Sequence, residues 1–311
     1  GYAFAMSSYS TNGLAVEQGI ADSIDVLQIF IRQHGAPEET SIFGISEGGQ
    51  IAVLAAERYP LMFRGAIAFC GPYGDFAGQI DYFTDFRVLF DHFFPDIDIP
   101  SSPVDIDPTV MTNWSTRYAA EVQPVIADPA NAGQVDQLLA TANAAFDAGD
   151  AAATKEQTME RLLWYNVFTT NDGKVKLGGQ PFDNIGRTYS GSADDDALNA
   201  AVQRFSADAN ATATIAADYE TTGKLRIPLL TMHTDGDEVV PYWQAQKYGE
   251  KVAAQGTGAF YTHIPVADTY GHCNFNLGQL TNALATYQGM LEAIPPFDPL
   301  KIYLPLVVGE N

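Results

Sequence analysis

Between residues 2 and 72, short continuous apolar runs alternate with apolar positions at helical spacing. Tyr2–Ser8, YAFAMSS, reads as a buried strand of aromatic and small apolar residues. Val16, Ile20, Ile24, Leu27 and Ile31 then recur four and three apart, one face of an amphipathic helix, with Gly35 and Pro37 as its stop. Ser41–Phe43 is a β-type run, Gln50–Tyr59 is helix-forming and closed by Pro60, and Phe63–Cys70 is another apolar run broken by Gly71-Pro72. The order β-α-β-α-β predicts a parallel sheet with helices on both faces.

The pattern changes at about Gly78. Up to Leu225 no convincing buried strand occurs, and helical runs dominate: 80–94, 110–126, 135–146, 155–168 and 197–205. They predict a mostly helical insertion. Its aromatics, Tyr82, Phe83, Phe86, Phe90, Phe93, Phe94, Trp114, Trp164, Tyr165 and Phe168, are expected mainly to form its own core, with some facing a pocket. The α/β pattern resumes with a strand at Ile227–Thr234, a helix at Trp243–Gln255, a strand at Phe260–Val266 and a helix at Leu277–Ile294. An apolar run, Leu300–Val308, closes the chain. The expected organisation is an α/β core over 1–77 and 226–311, with a helical cap, 78–225, inserted after the strand that follows the Gln50–Tyr59 helix.

Charge narrows the partners. The 311 residues carry a formal charge of −22, which opposes nucleic acid because no basic surface can neutralise phosphates. It suits a soluble extracellular or high-salt setting, and a secreted or periplasmic location is expected. No apolar run reaches the roughly 18–20 residues of a membrane helix. No cofactor or metal is expected: Asp194-Asp195-Asp196 and the pair Asp96 and Asp98 lack the spacing of a calcium loop.

The chemistry sits in Gly44-Ile45-Ser46-Glu47-Gly48, a G-x-S-x-G between a strand and a helix. A sharp turn there strains the serine backbone, and the glycines two positions either side are expected to make room. Ser46 becomes the candidate nucleophile, with the Glu47 amide at the helix start as oxyanion donor. A serine hydroxyl needs a general base oriented by a carboxylate. Of five histidines, His34 and His92 come too early, His233 and His263 lie within strands, and His272 sits on the loop after the last strand. The turn after the preceding strand offers Asp235 and Asp237 as acids.

His233-Thr-Asp-Gly-Asp237-Glu-Val-Val-Pro241 resembles the acid turn of α/β-hydrolases, in which Asp is followed by x-x-Val-Pro. That resemblance selects Asp237, with Asp235 as runner-up, and it covers Tyr2 to about Ile294 outside the helical insertion. Within the superfamily the chain is similar to capped bacterial esterases and prolyl-oligopeptidase-like hydrolases. His272-Cys273 also resembles the His-Cys pair of tannases and feruloyl esterases, although Ile45 stands where those enzymes have a second cysteine.

The resemblance implies a serine hydrolase that cleaves small-molecule or oligomeric carboxylic esters through an acyl-enzyme. A peptidase acting on short peptides and a non-catalytic hydrolase-fold binding protein remain as alternatives. Cys70 and Cys273, both expected at the C-terminal edge of the sheet, are a candidate disulfide clamping the His272 loop, or else two small buried thiols. In the superfamily the strand matching Tyr2–Ser8 follows others and a loop that carries a second oxyanion donor. An N-terminal fragment of the same protein is therefore expected to complete the sheet.

Overall fold

The computed structural model describes residues 2–97 and 99–297. Asp98 and the run Leu300–Val308 lie outside the described residues. The first element is α1 (Val16–His34), ended by Gly35 at φ 87°. It leads through β1 (Ser41–Ile45), α2 (Glu47–Arg58) and β2 (Gly65–Phe69) into the helical segment α3 (Phe76–Phe93), α4 (Pro108–Arg117), α5 (Gln123–Ile126), α6 (Ala132–Ala142), α7 (Ala151–Leu177), α8 (Asp195–Ala201) and α9 (Ala209–Thr214). The core resumes with β3 (Leu229–Gly236), α10 (Trp243–Gln255), β4 (Tyr261–Tyr270) and α11 (Leu277–Ala293).

The strands form one parallel sheet in the order β1-β2-β3-β4, with Ile45 beside Phe69 and Phe69 beside Met232. This is the α/β architecture that the β-α pattern predicts. Interior strands are covered on both faces, which is why β2 and the first six residues of β3 are buried without alternation. β1 is outermost and alternates, burying Ile42 and Gly44 and exposing Phe43 and Ile45.

Tyr2–Ser8 corrects the sequence reading. It forms no strand, and Tyr2, Phe4 and Met6 are 95%, 80% and 78% exposed. Apolar composition marks a segment able to fill a sheet, but a strand also needs a hydrogen-bonded neighbour, and the outer edge of β1 does not pair with it. The face expected on α1 is likewise buried only at its start: Val16 and Ile20 are covered, whereas Ile31 is 40% exposed.

Helical boundaries shift where local caps decide them. α6 ends early at Asn143, a left-handed cap, and α7 runs nine residues past Phe168 to the left-handed Gly178. The segment between β2 and β3 has its own apolar core, including Phe86, Phe90, Trp114, Leu138, Leu162 and Leu163. Among the described residues no helix is long and apolar enough to cross a membrane.

Candidate active site

Ser46 occupies the junction of β1 and α2 with φ 58° and ψ −126°, a left-handed backbone that a residue with a Cβ adopts only under constraint. The constraint is close packing of the turn. A Cβ on Gly44 would lie 1.7 Å from the Gly48 carbonyl oxygen, and one on Gly49 would lie 2.8 Å from the Phe69 carbonyl oxygen. At Gly48 the nearest atom would be Tyr9 Oη at 3.8 Å, so the expectation that both flanking glycines make room holds for Gly44 and not for Gly48. The Ser46 amide donates to Phe69 O at 2.9 Å, extending the β1–β2 ladder into the turn. Glu47 opens α2, so its amide belongs to the first-turn N–H groups that have no intrahelical acceptor. Its carboxylate turns away and accepts from Ala15 N at 2.7 Å, anchoring the start of α1. Burial raises the Glu47 carboxyl above its usual range.

The structure brings Ser46, His272 and Asp237 into one hydrogen-bonded row. His272 Nε2 is 2.8 Å from Ser46 Oγ, and His272 Nδ1 is 2.8 Å from Asp237 Oδ2 and 3.0 Å from Oδ1. Asp237 is buried in the turn after β3, where Oδ1 accepts from Val239 N at 3.0 Å and Val240 N at 2.8 Å. Burial alone would raise its carboxyl. Hydrogen bonds from His233 and His272, with the electrostatic attraction between the carboxylate and those rings, win and hold it at about 2. With an anionic carboxylate on Nδ1, the imidazole hydrogen sits on that nitrogen and Nε2 is free to accept the serine proton.

Asp235 lies elsewhere. It is exposed and accepts from Asp268 N at 2.9 Å and Thr269 N at 3.1 Å, so it ties β3 to the end of β4 and does not reach His272. The His272 loop is held from three directions. Gly271 N donates to Gly236 O at 3.1 Å, Thr234 Oγ1 donates to Gly271 O at 2.9 Å, and Cys273 is disulfide-bonded to Cys70, which follows β2. Both half-cystines take left-handed φ values, 44° and 53°.

The helical segment reaches the same two loops. Tyr82 Oη donates to Glu238 O at 2.9 Å, Gln79 Nε2 donates to Val239 O at 2.9 Å, and Arg161 pairs with the buried Glu238 carboxylate. Tyr270 Oη bonds Thr158 Oγ1 at 2.9 Å and Thr154 O at 3.1 Å. A cleft of about 1470 Å³ runs from Ser46 along the outer edge of β1. Of the ten aromatics singled out in the insertion, Phe83, Trp164 and Tyr165 line this cleft, and the others pack into or against the helical core. Asp194 and Asp195 accept hydrogen bonds from turn amides at the start of α8.

Sequence reasoning passed over His233, which lies fully buried with Nε2 3.3 Å from Asp237 Oδ2. Its spacing of four residues from the acid was the available signal.

No protein-family model matches the chain, and no curated protein matches it. Among solved structures it is similar to the acylaminoacyl peptidase of Pyrococcus horikoshii at 12% identity and a TM-score of 0.39, over 88% of this chain and 27% of that one. It is also similar to feruloyl esterase B from Aspergillus oryzae, at 15% identity and a TM-score of 0.44, over 83% of this chain and 57% of the esterase. A third similar structure is the putative non-heme bromoperoxidase BpoC of Mycobacterium tuberculosis H37Rv, at 11% identity and a TM-score of 0.41, over 90% and 76%. The chain thus spans about a quarter of the archaeal peptidase and a little over half of the esterase.

Proposed function

We propose that this chain carries the reacting groups of a serine hydrolase that cleaves carboxylic esters. The observation behind the reading is the continuous row from Ser46 Oγ through His272 to Asp237, with 2.8 Å at each junction. As Ser46 Oγ attacks the ester carbonyl carbon, His272 Nε2 takes the hydroxyl proton, and Asp237 stabilises the resulting imidazolium. Negative charge gathers on the former carbonyl oxygen, towards which the Glu47 amide would donate. Collapse of the tetrahedral intermediate breaks the bond to the alcohol, which leaves with the proton from His272. Water then attacks the acyl-serine by the same steps and releases the acid. A disulfide fits a secreted or periplasmic location.

A fluorophosphonate probe should label Ser46, and Ser46→Ala should abolish both labelling and turnover of short acyl esters. Labelling that survives in the variant overturns the assignment. Rates on matched acyl esters and aminoacyl amides decide between esterase and peptidase.

A further inference from the structure

His233 sits on β3 four residues before Asp237 with no exposed surface. Its Nε2 is 2.8 Å from Val240 O and 3.3 Å from Asp237 Oδ2. A carbonyl oxygen only accepts, so the ring hydrogen is on Nε2, with a shorter arm to Val240 and a longer one to the carboxylate. Val240 in turn donates its own N–H to Asp237 Oδ1 at 2.8 Å, which closes the turn into a ring of hydrogen bonds. Tyr73 and Tyr242 pack edge-on against the imidazole, with centroids at 6.4 and 5.9 Å, and fix its plane. Tyr242 Oη bonds His263 Nε2 at 3.1 Å, and His263 Nδ1 bonds Thr231 Oγ1 at 2.9 Å. Asp237, His263, Tyr73 and Tyr242 are thus the titratable groups around the ring.

We propose that His233 is a positioning residue for the hydrolytic reaction, holding the Asp237 carboxylate and its turn in the orientation that serves His272. This rests on the serine-hydrolase reading above. Val239 and Val240 restrain Oδ1, whereas among the described residues Oδ2 meets only His272 and His233. Without His233, Asp237 Oδ2 loses its second neighbour and Val240 O loses the ring N–H that restrains it. Its second oxygen then swings relative to His272 Nδ1. Consistent with that role, hydrogen bonding from His233 is the foremost influence drawing the Asp237 carboxyl down against the opposing effect of burial.

The test uses the full chain with His233→Phe, which keeps a planar ring and removes the donor, and His233→Gln, whose amide supplies N–H near the same position. The phenylalanine variant should lose kcat on ester substrate by on the order of tenfold to a hundredfold, with KM within about twofold, because the misplaced group acts in the transition state. Glutamine should recover most of that loss. The downfield proton resonance of His272 Nδ1–H should move in the phenylalanine variant and return towards its original position with glutamine. Unchanged kcat and resonance in His233→Phe, or equal damage in both variants, overturns the proposal. Long-range 1H–15N spectra of the unmutated protein give a check independent of any variant's folding: the Nε2–H tautomer of His233 is expected, and the Nδ1–H tautomer overturns the proposal. If the unmutated protein turns over no ester, the resonance comparison still decides the link between His233 and Asp237, and the failure belongs to the serine-hydrolase reading.

Discussion

β1 and β3 each deliver a side chain to the same row of hydrogen bonds, yet β3 is buried from Leu229 to Thr234 while β1 leaves Phe43 47% and Ile45 45% exposed. On the β3 side, the acid turn accepts two backbone amides and contacts two histidines, and its neighbours are tied to α3 and α7. On the β1 side, the apolar face of α1 is half uncovered and Tyr2, Phe4 and Met6 stand in solvent. Ser46 takes its placement chiefly from the tight fit of Gly44 under Gly48 and the bond to Phe69 O, with the Glu47 carboxylate tied to Ala15 N on the side of α1. The difference separates two uses of a strand. β3 over-determines the position of a charged group that has to stay buried, whereas β1 needs only one fixed end for its serine.

The sharpest way to break the comparison is Asp237→Asn. The asparagine keeps the shape of the turn but removes the anion that sets the His272 tautomer. kcat on ester at neutral pH should fall on the order of 10⁴-fold, with far-UV circular dichroism unchanged. Folding should respond to acid as well. The Asp237 carboxyl is lowered from 3.8 to about 2, so its contribution to stability is present above the unfolded value near 3.8 and disappears as pH falls towards 2. Between pH 4 and 2 the asparagine variant should lose stability less steeply than the parent, by about 2 kcal/mol. Parallel denaturant titrations over that range measure the difference, and identical slopes would mean that Asp237 is not held as an anion.

The Cys70–Cys273 bond links the inner region across 203 residues of sequence and sits beside the base. Cys70→Ser should lower folding stability by about 2–5 kcal/mol and kcat by about tenfold, since the loop carrying His272 loses its covalent anchor to β2. Thermal melts and ester kinetics with and without reductant check both effects. Reductant should mimic the substitution in the parent and do nothing further to the variant. An unaffected kcat would assign loop placement to the hydrogen bonds of Gly271 and Thr234 alone.

What the sequence revealed follows the same division. The turn that carries Ser46 was legible because its close packing demands a glycine at Gly44, whereas Asp237 was picked out by a resemblance and His272 by its place after the last strand. Tyr2–Ser8 was misread because apolar composition is shared by buried strands and by exposed extended chain, and only a partner's hydrogen bonds distinguish them. α1 was right in extent and only partly right in burial, since spacing identifies a face and says nothing of how much of it a neighbour covers. His233 was set aside as a strand residue. Its relation to Asp237 exists only once the chain turns back through Val240, a closure that spacing alone does not specify.

The smallest expected effect bears most directly on the outer strand. Ile67 of β2 is 5% exposed and lies beside Phe43 of β1, while Ile45 is 45% exposed at the cleft. Ile67→Ala removes methylenes from a filled interior and should cost about 2–5 kcal/mol. Ile45→Lys gives up little covered surface and extends its ammonium into solvent, so its cost should stay within about 0.5 kcal/mol. The same lysine should reduce self-association, because a charge on an exposed strand edge opposes pairing with another chain. Denaturation midpoints of the two variants and light scattering of Ile45→Lys against the parent make the test. If Ile45→Lys proves as destabilising as Ile67→Ala, the outer edge of β1 is covered in solution, and the contrast between the two strands fails at its open end.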